Sequence, residues 1–499
     1  MSRSPSLLVA FSLATLPITT VAQTAASGTS TVDPTSARVS DVYVGTSKGV
    51  YVYHANVNGS VSLVPGSPFP IGGAAIGSNR SLFFSQGLDN LHVYPVASNG
   101  AIKAQISQVD TRTSSGSECG KASGAVLDHT GHIVYVQLED STQGGSEGPC
   151  VALQSYKVSG TGAISFLGST QYATQQAIGT GGFATPLKLS GTGNFGYSSA
   201  ADHECKMDTF VLKRESSGAM MLNSNQYLTI PGSPQYWRWF AWYMTSDPTN
   251  HMASMIQAET DDFGPCGSAI PVQLVSFTIA PDGSLSTTNT ADNMPVPKVD
   301  PEVLNMSTSG QFLAIGGYDT NVTAQGSQPP GLQVFRFNGA NPITPISDIL
   351  TTAPIDEIHW DNTDHLYALS NSTHKLYVYS VTSSSISAAP GSPFTIPSTP
   401  NSLAVVPLQC SVPASDGVHI CSPASGSSAA SPVLVSASSK ITGTLDRMEL
   451  WVDGVKKYTG RSTQMSAAIK LSSGQHRFGI FAVNTAGQKW NSVVSASVY

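Results

Sequence analysis

The chain has 499 residues, only 11% of them charged, with 24 Lys and Arg against 31 Asp and Glu for a formal net charge of −7. That balance and the absence of any basic cluster exclude nucleic acid and an anionic membrane surface as expected partners. Gly (46), Pro (31) and abundant Ser and Thr supply many turns while helix-forming runs are scarce, so the expected class is all-β.

Arg3 precedes the apolar run LLVAFSLATLPI and the small-residue run TTVAQ. This is the pattern of a signal peptide over 1–22 cleaved near Ala22, which makes the expected destination periplasmic or secreted. Residues 23–40 read as a Ser/Thr/Ala-rich linker. No later run approaches the ~20 apolar residues that span a bilayer, so no membrane span is expected.

From Asp41 onward one pattern recurs: an alternating apolar stretch, a short turn usually holding Gly, and a second alternating stretch. The copies are VYVYHANVNGSVSL from Val50, LHVYPVASNGAIKA from Leu91, LQSYKVSGTGAISF from Leu153, TFVLKRESSGAMML from Thr209, LVSFTIAPDGSLST from Leu274, LQVFRFNGANPITP from Leu332 and LYVYSVTSSSISAA from Leu376. A second pair of short strands precedes most of them, as in EIHWDNTDHLYALS from Glu357. Four strands per unit, seven times over, predict a seven-bladed β-propeller across 41–408. The first unit lacks a leading strand and NSLAVVPL (401–408) is left over at the end, so this segment is expected to close the ring as the innermost strand of the first blade. Pro-Gly-Ser-Pro, at 65, 231 and 390, follows the fourth strand of a unit each time and reads as punctuation between blades.

Hairpins of the form YVYxVxxxGxxS followed by PGSPF resemble the secreted seven-bladed propellers of the lactonase-like and YVTN-repeat groups. The resemblance implies either an exported scaffold that binds a small molecule or a surface partner, or a hydrolase acting on a sugar-acid lactone at the channel mouth. Lactonase-like members carry a Gly-Pro-Arg-His stretch leading into an inner strand. The comparable stretches here, GTGGFATPLKL from Gly179 and GSPQYWRWFAW from Gly232, lack Arg-His, and no catalytic residue is carried over.

After Leu408 a polar linker (409–431) leads to short alternating strands over 432–499, which suit a small Ig-like β-sandwich and resemble bacterial Ig-like or fibronectin-like modules. Trp451 and Trp490 read as core and edge packing rather than as a carbohydrate platform. Six cysteines in an exported chain predict disulfides rather than zinc. Cys410 and Cys421 are close enough to pair locally. Propeller topology puts Cys119, Cys150, Cys205 and Cys266 on one rim, with Cys119–Cys150 and Cys205–Cys266 as the expected bonds.

The same rim receives the polar insertions SSAADHECKMD, with Asp202, His203 and Glu204, and QAETDDFGPC, with Glu259 and Asp261. These residues read as a ligand-binding set in which His203 is oriented by a carboxylate, or as solvated loops. Hard carboxylate oxygens also suit Ca²⁺, but no cofactor or metal is predicted. In YWRWFAWY (236–243) alternation sends most rings into the core, and Arg238, at the start of an inner strand, is placed to meet an anionic ligand.

Overall fold

The computed structural model describes residues 38–499 apart from 112–118, 141–149, 174–182, 202–206, 235–236, 261–266, 269–270, 319–327, 409, 411, 424, 430 and 432. The fold is all-β. Among the described residues seven antiparallel sheets of four or five strands follow one another along the chain, and two further sheets form a C-terminal sandwich. The sheets of the first part make a propeller-like ring.

Their inner strands are Pro400–Pro407 for sheet 1, Ala74–Ser78 for sheet 2, Lys121–Leu127 for sheet 3, Lys188–Leu189 for sheet 4, Arg238–Ser246 for sheet 5, Val303–Met306 for sheet 6 and Glu357–Trp360 for sheet 7. The late segment Pro400–Pro407 pairs antiparallel with Arg38–Thr46, in register from Ser40↔Pro407 to Thr46↔Pro400. The left-over strand therefore completes the first sheet, where it covers an edge that would otherwise be open.

Polar bonds tie every neighbouring pair of sheets. Ser402 Oγ accepts from Ala75 N (2.9 Å), Gly131 O from Asn79 Nδ2 (2.7 Å) and Gln137 Oε1 from Leu187 N (2.9 Å), joining sheets 1 to 4 in turn. Leu189 O accepts from Ser246 Oγ, Thr245 Oγ1 from Met306 N, and Asn305 O from Trp360 Nε1, joining sheets 4 to 7. Leu403 N donates to Glu357 Oε2 at 2.7 Å and returns the ring to sheet 1.

The apolar core is divided among the gaps between sheets. Strand Arg38–Thr46 shows why both faces of each sheet are buried: Val42 and Val44 face Tyr367 and Leu369 of sheet 7, whereas Tyr43 faces Phe83 of sheet 2. The period-2 pleat sends neighbouring residues to opposite gaps, so the strands read as nearly continuous apolar runs. Tyr135 and Tyr197 each cross a gap to donate to a turn carbonyl of the next sheet, Gly218 O and Gly283 O, both at 2.9 Å. Gly283 has φ +90°, and a Cβ there would stand 2.6 Å from Phe195, so only glycine fits.

Three turns between first and second strands repeat Asp-x-Thr-x-His, at Asp128, Asp247 and Asp361. In each the aspartate accepts from the threonine hydroxyl and, at 3.0 Å, from the histidine backbone N–H. These are Asx turns that tie off the inner strand. Pro-Gly-Ser-Pro also takes its expected place after an outer strand, and its serine hydroxyl accepts a third-strand N–H, from Val52 to Ser67 and from Val378 to Ser392.

The C-terminal sandwich packs a three-stranded sheet on a five-stranded one around Met448, Leu450, Val452, Phe478 and Ile480. Its first strand, Gly417–Ser422, lies inside the stretch read as linker, because its alternation is masked by polar side chains on the exposed face. Trp451 is a second correction. Met448, Leu450 and Val452 take the core positions of strand Leu445–Val452, so Trp451 lies on the outer face of the sheet. The sandwich rests on the turn side of the ring, where Gln311 Nε2 donates to Thr459 O and Arg461 Nη1 lies 3.5 Å from Asp247 Oδ2. Disulfides join Cys119 to Cys150 and Cys410 to Cys421, each with Cα atoms 5.6 Å apart. Cys205 and Cys266 lie outside the described residues.

Candidate functional site

Inner strands line the axis of the ring, so ionisable residues within them are candidates for its chemistry. Sheets 4 and 7 stand on opposite sides of the ring, and Lys188 of sheet 4 nevertheless lies within electrostatic reach of both Glu357 and His359 of sheet 7. Glu357 and His359 thus feel the Lys188 charge across the ring. Glu357 and His359 are two residues apart on one strand and share a face. Their Oε2 and Nε2 atoms are 3.9 Å apart, too far for a hydrogen bond.

Both side chains keep about a third of their surface open, 32% for Glu357 and 35% for His359. Burial pushes the Glu357 carboxyl up to about 8 against the opposing pull of the Leu403 N–H and the Lys188 charge. Burial, and after it Lys188, pushes the His359 imidazole down to about 4. Burial lowers Lys188 too, while Glu357 acts in the opposite sense. At neutral pH these shifts favour a protonated carboxyl and a neutral imidazole beside Lys188, whose own charged form burial disfavours. An anion beside Lys188 would offset that burial and favour the charged amine, next to one group able to donate a proton and another able to accept one.

A cavity of about 370 Å³ continues from His359 toward the turn side, lined also by Ile76, Arg80, Leu127, His129 and Val405. Burial lowers both Arg80 and His129. Beyond it a larger space of about 920 Å³ opens between the turns of the ring and the sandwich, reaching Asp247, Asn362, Thr444 and Arg461.

Of the residues expected to form a site, Arg238 and Glu259 fall among the described residues. Arg238 begins an inner strand and Glu259 is its register partner on the neighbouring strand, so the backbone brings those two together. Asp202, His203, Glu204 and Asp261 lie outside the described residues. Sequence reasoning passed over Lys188, Glu357 and His359. The available signal was charge inside inner strands: PLKL and EIHW place ionisable side chains where their neighbours Leu187, Leu189 and Ile358 are buried.

Fold and site together define a propeller-like protein with an Ig-like module, and its resemblances agree with that class. The bacterial Ig domain family matches residues 417–479. Among solved structures, a candidate 6-phosphogluconolactonase from Bacteroides fragilis is 10% identical, with a TM-score of 0.52 over 74% of this chain and 98% of that one. The periplasmic gluconolactonase of Pseudomonas aeruginosa is 12% identical, with a TM-score of 0.41 over 86% and 99%. Fibronectin(III)-like modules of Clostridium thermocellum CbhA are 21% identical and cover 16% of this chain and 93% of theirs, with a TM-score of 0.16. No curated protein matches the sequence. At these identities the likeness concerns the fold alone. Among the described residues no helix is long and apolar enough to cross a membrane.

Proposed function

We propose that the chain is exported after loss of residues 1–22 and that its seven-bladed propeller binds a small organic anion, of the sugar-acid type, in the axial channel. The observation that carries this reading is the meeting of Lys188 with Glu357 and His359 across the ring. With Glu357 protonated, a ligand carboxylate becomes the counter-ion that favours the charged form of Lys188, while Glu357 and His359 supply hydrogen bonds for hydroxyl groups. The leader-like N-terminus and the two disulfides support export. Calorimetric titration with gluconate, glucuronate and citrate at pH 7 tests the reading. Binding that disappears in Lys188→Met with the melting temperature retained is expected; binding by none of them, or binding indifferent to Lys188→Met and Glu357→Gln, refutes it.

A second reading, hydrolysis of a sugar-acid lactone, is favoured by one observation. A neutral imidazole able to activate water lies beside a protonated carboxyl able to protonate a leaving alkoxide. A pH-stat assay over aldonolactones decides it. Turnover lost in His359→Gln supports hydrolysis, and absence of turnover on all of them leaves the binding role alone.

A further inference from the structure

We propose that the outer face of the C-terminal sandwich carries a second binding site, for an acidic sugar unit of a polysaccharide, built from Trp451, Phe481, Arg477 and Lys489 around Gly479. It shares no residue with the axial cluster.

The five-stranded sheet brings these residues into adjacent cross-strand rows. Trp451 stands opposite Gly479, and Gly479 opposite Val493; in the next row Glu449 stands opposite Phe481. All lie on the face away from the core formed by Met448, Leu450, Phe478 and Ile480. Since Gly479 has no side chain, the middle of the sheet is hollow: a depression of about 340 Å³ is walled by Trp451, Phe481 and Val493 and rimmed by Glu449, Arg477 and Lys489.

A glycine inside a strand weakens the strand and marks a bulge or a close approach by something else. Here the protein's own packing does not require it. A Cβ on Gly479 would come no nearer than 3.5 Å to any atom, at Phe481 Cε2, an ordinary contact, and the backbone does not need a left-handed φ. What the glycine provides is open space beside the two aromatic rings.

Those rings are held in place. Phe481 meets the indole edge to face at 6.3 Å, and Trp451 Nε1 donates to Glu449 Oε2 at 3.0 Å. Glu449 is otherwise occupied: Arg447 Nε donates to it at 2.8 Å and Lys456 Nζ lies 3.5 Å away. The one carboxylate on the rim is therefore already neutralised. Arg477 and Lys489 are exposed and their side chains make no ion pair among the described residues, the Arg477 backbone N–H donating to Asp453 Oδ1 at 2.8 Å.

Charge complementarity selects the occupant. A pyranose ring offers a C–H face to the aromatic walls, and a uronate carboxylate matches the guanidinium fork of Arg477, with Lys489 as a second cation. A depression on an open sheet face suits one unit of a long chain, whose neighbours continue along the surface.

The test uses the full chain carrying Lys188→Met, so that the axial channel does not contribute. Tryptophan fluorescence and calorimetry at low salt follow titration with trigalacturonate, a neutral galactose trisaccharide and oligoglutamate. The expected result is binding of trigalacturonate alone, weakened about tenfold by Trp451→Ala or by filling the hollow with Gly479→Val. Arg477→Gln, on the exposed rim where folding is not at risk, should weaken it similarly and flatten its salt dependence. Failure of trigalacturonate to bind overturns the proposal. So does equal binding of the neutral sugar or of oligoglutamate, or binding unchanged in Trp451→Ala and Arg477→Gln.

Discussion

Leu403 is the most direct probe of ring closure. It sits on the late strand Pro400–Pro407, is 2% exposed, and packs among Val42 and Val44 of its own sheet and Tyr367 and Leu369 of sheet 7. Its backbone N–H donates to Glu357. Truncation to alanine keeps that bond and the strand, but removes three buried carbons from a gap bounded by two sheets that cannot readily collapse. Losses for buried leucines in such settings run at about 3 to 5 kcal/mol, the transfer term plus the cavity term. Leu63, on the outer strand Val61–Leu63 and 49% exposed, is the matched control, for which about 0.5 kcal/mol or less is expected. Urea unfolding of both variants, with the midpoint difference multiplied by a common m-value, measures the contrast. If Leu403→Ala shifts the midpoint no more than Leu63→Ala, the last strand does not close the first sheet and the ring is wrong.

Glu357 binds a proton in the folded chain up to about pH 8, whereas an unfolded glutamate loses it near 4.5. The folded state thus holds more protons between those values, stability should fall as pH rises through that window, and Glu357→Gln should flatten the fall in melting temperature. His359 acts with opposite sign: the unfolded chain binds the extra proton between about 4 and 6.5, so His359→Gln should reduce the loss of stability on acidification through that range. Gly283→Ala forces a side chain into a positive φ and against Phe195, and a loss of about 2 kcal/mol or more is expected in the same urea assay; a loss under ~0.5 kcal/mol contradicts the tyrosine-to-glycine crossing drawn between sheets 4 and 5. Non-reducing peptide mapping should return Cys119–Cys150 and Cys410–Cys421, and we propose Cys205–Cys266 as the remaining pair. Cys119 joined to Cys266 would invalidate the order of loops on that rim.

The parts of this fold that were legible in sequence are those made by contacts between neighbours in the chain. Hairpins announce themselves by alternation around a glycine, and Pro-Gly-Ser-Pro marks the end of an outer strand through its own turn geometry. The left-over strand at 401–408 could be placed because a ring with one strand missing at its start has only one vacancy to fill. The Asp-x-Thr-x-His turns at Asp128, Asp247 and Asp361 were equally visible but passed unread, though they fix the end of three inner strands.

The axial cluster belongs to a different category. Lys188 sits on a two-residue strand, too short for periodicity to identify, and its electrostatic partners come from the other side of the ring. No local pattern encodes that meeting; it arises when seven sheets close and bring sheets 4 and 7 face to face at the axis. Loops, by contrast, show their polarity openly in the sequence, as at His203 and Asp261, which lie outside the described residues. Trp451 was misplaced for a related reason. An aromatic residue in an alternating strand reads as core until its neighbours are counted, and Met448, Leu450 and Val452 had already taken the inward positions. In both cases the decisive information is which face of a strand is occupied. For a protein built almost wholly of strands, an ionisable or aromatic residue on the less expected face is therefore a guide to chemistry that alternation alone does not reveal.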